Sequence, residues 1–186
     1  MSTSANAPYH HGDLRNALLT AALLILDSEG EAGLGLRDLA RAVGVSPAAP
    51  YRHFDSRAGL LEALAVTGFQ KFTAEMRAVA ESSPADPLLA MGQAYLRFAL
   101  GNRALFRLMF AAQLKRDNRP GLRMAAEAAF ATLRQVSGGY TTAGRIAALA
   151  AWSKVHGLAV LLLDEQIALR PDETLEQLIE QVLARR

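Results

Sequence analysis

Residues 35–54 read GLRDLARAVGVSPAAPYRHF, and the order of apolar, glycine and proline positions in them decides the fold. Leu36, Leu39, Ala40 and Val43 recur at i, i+3, i+4 and i+7, one face of a helix from roughly Leu36 to Val43. Gly44 stops that helix, because glycine enters the left-handed conformation without the steric cost of a Cβ. Val45 is the apolar residue inside the turn. Ser46 is placed to cap a second helix by accepting from its free N–H groups, and Pro47 fits the first helical position, where no N–H is missed. That second helix is expected to carry Ala48, Ala49, Tyr51, Arg52 and His53.

Two short helices joined by a glycine turn make a helix-turn-helix. The second helix of such a pair can enter the major groove of DNA while the first crosses the backbone. The same pair also occurs as plain structure, so the side chains have to decide. Tyr51, Arg52 and His53 put hydrogen-bond donors and an aromatic face on a helix that is otherwise apolar. Alanine can meet a thymine methyl and arginine can pair with guanine, which makes Ala48, Ala49 and Arg52 candidates for base edges. Phe54 reads as core.

The pattern G-V-S-x-x-x-x-Y-x-H-F over Gly44–Phe54, followed by Arg57 and the pair Leu60-Leu61, resembles the DNA-binding domain of the TetR family of transcriptional regulators. The upstream segment YHHGDLRNALLTAALLILDSEGEAGLGLRDLA extends the likeness, which runs from about Tyr9 to Phe69. The resemblance implies an N-terminal domain of three helices at 9–69, with the helix-turn-helix at 35–54, and a helical regulatory and dimerisation domain at 70–186. It also implies phosphate contacts from Tyr51 and His53, joined by Arg37, Ser46 and Arg57. Two departures stand out. Gly35 occupies a position where the family usually has Thr or Ser, and Pro50 one where it usually has Leu or Ile. Pro50 removes one N–H from the helical ladder, and a locally loosened first turn is expected rather than a broken helix.

With 186 residues, half of them hydrophobic, the chain can build one large domain or two small ones. It has no Cys, which excludes disulfides, thiol nucleophiles and thiolate metal sites and fits a cytosolic protein. The N-terminus has no basic region followed by an apolar core, so no signal peptide is expected. No window of about 18 consecutive apolar residues occurs, so no membrane span is expected. The formal charge is only +2. In the first 60 residues Arg15, Arg37, Arg41, Arg52 and Arg57 face Asp13, Asp27, Glu29, Glu31, Asp38 and Asp55. A DNA-binding reading therefore needs local clustering of Arg37, Arg52 and Arg57, not bulk charge.

Taken in order, residues 1–7 read as a mobile arm, and a helix follows from about Gly12 to Ser28 with Asp13 near its positive end. Its buried stripe is Leu14, Leu18, Ala21, Ala22 and Ile25. His10 and His11 lack the carboxylate or thiol neighbours of a metal site, and no metal or cofactor is expected. Asp55-Ser56 caps a connector helix from Arg57 to Glu81. Further helices are expected over 87–100, 103–114 (capped by Asn102), 122–136, 141–167 and 172–185, making an all-α protein of about nine helices. The 141–167 helix is hydrophobic nearly all round, which implies burial on more than one side.

Trp152, His156 and Gly157 form W-x-x-x-H-G, similar to a signature in one subgroup of TetR-like C-terminal domains. Trp152 and His156 share a helix face. Either they are core, or His156 donates into a ligand cavity walled by Trp152, Phe106, Met109 and Phe110. Enzymatic readings find no support: there is no G-x-S-x-G, no glycine-rich phosphate loop, and Asp164-Glu165 point to different faces. The resemblance implies a homodimer built by the last two helices. It would bind a near-palindromic double-stranded operator, with recognition helices about one DNA turn (~34–36 Å) apart, and would be released by a small-molecule effector. A DNA-binding dimer without an effector, and an interaction module with a vestigial helix-turn-helix, are the alternatives.

Overall fold

The computed structural model describes residues 11–114, 118–168 and 170–184, with side chains from residue 14 onward. The expected arm at 1–7, the paired histidines, the Asp13 side chain and part of the 116–121 loop lie outside the described residues. All regular structure among the described residues is helical. Eight α-helices follow in order: α1 (His11–Glu29), α2 (Leu36–Val43), α3 (Arg57–Glu81), α4 (Pro87–Gly101), α5 (Arg103–Met109), α6 (Pro120–Val136), α7 (Thr142–Leu163) and α8 (Leu175–Ala184). Short 3-10 turns occupy Glu31–Gly33 and Pro50–Arg52. The chain divides into two compact units between Leu64 and Ala65, inside α3.

The first unit is built on α1, which buries Leu18, Leu19, Ala22 and Leu26. The stripe is rotated from the expected one, since Leu14, Ala21 and Ile25 are only half-buried. α2 packs against α1 through Leu36, Leu39 and Ala40. Gly44 ends α2 at φ 75°, the left-handed conformation expected of it. Ser56 Oγ accepts the Gly59 N–H at 3.2 Å and starts α3 as expected.

The second short helix is a correction. Its residues are wound with i→i+3 bonds: Ala49 N–H to Ser46 O at 2.9 Å, Arg52 N–H to Ala49 O at 3.2 Å, and His53 N–H to Pro50 O at 3.0 Å. The segment is a 3-10 turn at Pro50–Arg52, not an α-helix with a loose start. Pro50 has no N–H to give, and its ring crowds the carbonyl four residues back, so the tighter winding takes over. Ser46 contributes its backbone carbonyl to that winding. The ring of Pro50 is itself buried, filling the core position where the family pattern has Leu or Ile. This accounts for eight α-helices where about nine are expected.

In the second unit α4 packs on α5, α7 and α8, and α6 packs on α7. Asp86 caps α4 by accepting the Leu89 N–H at 3.0 Å. Asn102, expected to cap α5, instead donates Nδ2 to Phe98 O at 3.0 Å and closes α4. α5 stops at Met109, short of the expected Leu114. Gly92 lets α8 come close: a Cβ there would stand 2.6 Å from Leu183 Cδ1. α8 starts with a capping box, in which Thr174 N–H donates to Gln177 Oε1 at 2.8 Å and Gln177 N–H to Thr174 Oγ1 at 3.2 Å.

Thr141 caps α7 through the Gly144 N–H at 2.9 Å. The helix ends at Leu163 rather than near Ile167. Glu165 takes φ 55°, with its N–H on Leu162 O at 3.2 Å and the Gln166 N–H on Leu161 O at 2.9 Å. That pair of bonds is a Schellman closure. Arg107 of α5 completes it, donating to Leu163 O at 2.8 Å and pairing with Asp164 at 2.7 Å.

One face of α7 is buried, through Gly144, Ala148, Val155, Leu158, Ala159, Leu162 and Leu163. The opposite face is open: Ile146 is 57% exposed, Val160 38% and Leu161 45%, with Ala143, Ala147, Ala150 and Gly157 exposed between them. Burial on more than one side is therefore not met within the single chain. By length and composition alone α7 could cross a membrane. Its buried face belongs to the packed second unit, and Arg145, Lys154 and His156 interrupt its apolar course.

Candidate nucleic-acid interface and ligand cavity

In the first unit the turn at 46–53 presents its polar side chains outward. Tyr51 is 49% exposed; Arg37, Ser46, Ala48 and Arg52 are exposed, and Ala49 and His53 half-buried. Beneath them Phe54 is 3% exposed and belongs to the core. Arg15 lies with its guanidinium carbon 5.6 Å from the Phe54 ring centroid, and the His53 ring tilts against the same ring at 6.5 Å. The three-per-turn winding puts Arg52 on the row of Ala49, so base-edge candidates 49 and 52 share a line along the turn.

Arg57 is exposed and also bonds the backbone of its own unit. Its Nε donates to Leu34 O at 3.1 Å, and its Nη2 donates to Glu31 O. These bonds satisfy carbonyls of the loop between α1 and α2 and fix the start of α3 against it. At the start of α2, Gly35 is extended and supplies no side-chain cap. The Asp38 carboxylate folds back over it, so that a Cβ at residue 35 would stand 2.6 Å from Asp38 Oδ2. Asp38 also pairs with Arg41 at 3.0 Å. A side chain one turn along thus occupies the space of the missing Thr or Ser.

The second unit holds a half-open cavity of about 840 Å³. α3 contributes Phe69, Phe72 and Met76; α4 contributes Leu88, Leu89, Met91 and Tyr95. Ala126, Ala129, Phe130 and Leu133 of α6 face Trp152 and Val155 of α7, and Leu183 of α8 and Phe110 complete the wall. Of the five residues singled out as ligand contacts, Phe110 and Trp152 line it. Phe106, Met109 and His156 are not among the lining residues. Phe106 and Met109 are buried, and the His156 ring lies tilted against Phe106 at 5.6 Å and edge-on to Phe110 at 4.5 Å. Tyr95 and the α6 wall were not legible as site residues.

His156 acts through Tyr95. The Tyr95 hydroxyl stands 2.7 Å from His156 Nδ1 and accepts the Trp152 indole N–H at 3.3 Å. Burial pushes the Tyr95 phenol well above its ordinary range, only partly offset by the Trp152 hydrogen bond, so the hydroxyl keeps its proton, and its contact with Nδ1 is a hydrogen bond in either neutral imidazole tautomer. Burial also lowers the His156 value. The folded chain therefore binds its proton less readily than the unfolded chain, whose imidazole titrates near 6.5. This contribution to stability is present above that value and is lost as pH falls below it. Between pH 7.5 and 5.5 the melting temperature is expected to drop more for the unaltered chain than for His156→Gln, as differential scanning fluorimetry would record. Equal drops would show that His156 is protonated equally in both states.

Comparison with known proteins adds the following. Residues 18–64 match the sequence model of bacterial regulatory proteins, tetR family. Residues 88–185 match that of the tetracyclin repressor-like C-terminal domain. A curated relative, an uncharacterized HTH-type transcriptional regulator YobS of Bacillus subtilis (strain 168), is 28% identical over 171 residues, 90% of this chain and 87% of its own. Among solved structures, a protein with unknown function from Rhodococcus sp. RHA1 is 33% identical, with a TM-score of 0.79 over 96% of this chain and 93% of its own. The fold is also that of AibR, solved in complex with isovaleryl coenzyme A and operator DNA (TM-score 0.62, 16% identity, 91% of this chain and 95% of that one).

Proposed function

As the chain belongs to the TetR family of transcriptional regulators, we propose that it is a ligand-responsive repressor that binds a near-palindromic operator in the cytoplasm as a homodimer. The reading is carried by one observation: Tyr51 and Arg52 stand exposed on a turn whose underside, Pro50 and Phe54, is buried. A rigid apolar base holding an aromatic hydroxyl and a guanidinium outward suits contact with a DNA backbone and a base edge. Arg52, with Ala48 and Ala49, reads bases. Tyr51, His53, Ser46 and Arg37 meet phosphates. Arg57, exposed while it bonds Leu34 and Glu31, meets phosphate as well. The domain at 9–69 reads DNA, and the domain at 70–186 senses and dimerises. The open apolar face of α7, with α8 beside it, is the surface that pairs two chains.

The cavity is the effector site. An effector that fits the free repressor better than the DNA-bound one shifts the population away from DNA, and α3, common to both units, is the element that carries the shift. Selection of binding sites from random DNA tests the function directly. An inverted repeat with half-sites about one turn apart (~34–36 Å) is expected. Failure to enrich any sequence would overturn the reading.

Filling the cavity separates sensing from DNA binding. Ala129 is buried on the cavity wall, and Ala129→Phe points a ring into existing space. Operator affinity is expected to stay within threefold in a fluorescence anisotropy titration, with effector-driven release weakened by about tenfold or more, ~1.4 kcal/mol. Release unchanged by the filled cavity would place the effector elsewhere.

A further inference from the structure

The cavity also carries information about what it holds. We infer that it takes an uncharged, flat, multi-ring aromatic molecule bearing one hydroxyl or carbonyl oxygen. This rests on the cavity being the effector site and goes beyond it by naming the chemical class.

Aromatic content is the first argument. The chain has seven Phe, four Tyr and one Trp, and half of these twelve line this one cavity: Phe69, Phe72, Tyr95, Phe110, Phe130 and Trp152. Two pairs of them are set edge to face, and Trp152 lies tilted against Phe110 and Phe130. Phe72 meets Tyr95 at 5.1 Å and 84°, and Phe69 meets Phe110 at 5.5 Å and 76°. Rings crossed in this way expose faces and edges at right angles, the arrangement a flat aromatic guest extends. The volume of about 840 Å³ falls in the range of sites for drug-sized ligands, ~300–1,000 Å³, so several rings fit.

Charge is the second argument. The cavity touches four ionisable side chains, Asp86, Arg123, Glu127 and Lys154, two of each sign. Each is engaged. Asp86 holds the start of α4. Arg123 pairs with Glu127 at 3.8 Å along α6, both well exposed. Lys154 donates to Leu183 O at 3.4 Å. The two signs balance across the lining, so a charged guest would leave water without meeting a net opposite charge.

The third argument is the hydrogen-bonding point set among the rings. Trp152 donates to the Tyr95 oxygen at 3.3 Å, longer than usual for such a bond. The Tyr95 oxygen bonds His156 Nδ1 and in either imidazole tautomer keeps a lone pair beyond that bond. A ligand hydroxyl at this point accepts the indole N–H and donates to Tyr95; a carbonyl takes the N–H alone. One oxygen is matched and a second would be stranded among phenyl rings.

Trp152 is the chain's one tryptophan, so its emission reports on this wall directly. The test titrates the full-length protein with 1-pyrenemethanol, 1-methylpyrene, 1-pyrenecarboxylate, (1-pyrenylmethyl)trimethylammonium and 1-hexadecanol, following Trp152 quenching and energy transfer to pyrene. Hexadecanol is read by displacement of pyrenemethanol. Pyrenemethanol is expected to bind tightest, with each of the other four weaker by about fivefold or more. A charged analogue that binds as well overturns the uncharged class. Methylpyrene binding as well overturns the hydrogen-bonding oxygen, and hexadecanol binding as well overturns the aromatic preference. Those outcomes leave the cavity reading intact. Binding by none of the five overturns both.

Discussion

Gly157→Arg is expected to give a chain that folds, runs as a monomer, and binds operator DNA about 10²- to 10⁴-fold more weakly. The factor is the avidity that two linked reading heads confer over one. Gly157 lies mid-α7 on its open face, and a Cβ built there meets nothing within 4 Å. Within the single chain the substitution is thus free of clash. It should even stabilise the helix by several tenths of a kcal/mol, since glycine is a poor helix former and arginine a good one. Around it, the row Ile146, Ala150, Val160 and Leu161 is apolar and uncovered. Small residues at 143, 147, 150 and 157 let a partner helix approach closely. An arginine in that seam puts an unpaired charge and a long side chain where two copies would meet. Sedimentation velocity combined with operator titration decides the matter. A dimer retained with full affinity would show that the α7 face is not the interface.

How much of this was legible beforehand depended on punctuation. α2 and α3 came out with their expected bounds because Gly44, Ser56 and the Ser82–Pro87 break are unambiguous stop and start signals. α7 was expected to run on because Glu165, not a glycine, takes the left-handed turn, with Arg107 from a distant helix satisfying Leu163. Sequence periodicity sees neither. The turn bearing Tyr51 was misjudged by counting only the hydrogen bond that Pro50 removes and not the carbonyl its ring displaces. The phosphate contact of Arg57 is what the resemblance implies, and the sequence holds no sign of its second set of bonds. Only the fold reveals that Leu34 and Glu31 offer it their carbonyls. The cavity was half legible. Trp152 and Phe110 stand out by type, whereas Tyr95 and the alanines of α6 become walls only when helices far apart in sequence enclose a space.

Arg52→Ala and Tyr51→Ala should both weaken operator binding, but with different signatures, and the difference tests the roles assigned to them. Both side chains are exposed, so folding stability should shift by no more than about 0.5 kcal/mol. The 3-10 winding shortens the reading element to little more than one turn. Alanines at 48 and 49 offer only methyl contact, which leaves Arg52 as the one long side chain available for a bidentate pair with guanine. Arg52→Ala should therefore cost about 1–3 kcal/mol and relax the preference at one base pair in each half-site. Tyr51→Ala should weaken all sequences alike, by about 0.5–1.5 kcal/mol for a neutral hydrogen bond to phosphate. Because tyrosine carries no charge, the salt dependence should keep its slope, whereas Arg37→Ala should lower that slope by about one. Competition binding against a library of single-base operator variants at two salt concentrations reads all three. If Arg52→Ala weakens every sequence equally and leaves the base preferences intact, the guanidinium is on the backbone. Recognition would then have to come from the alanines and from the shape of the DNA itself.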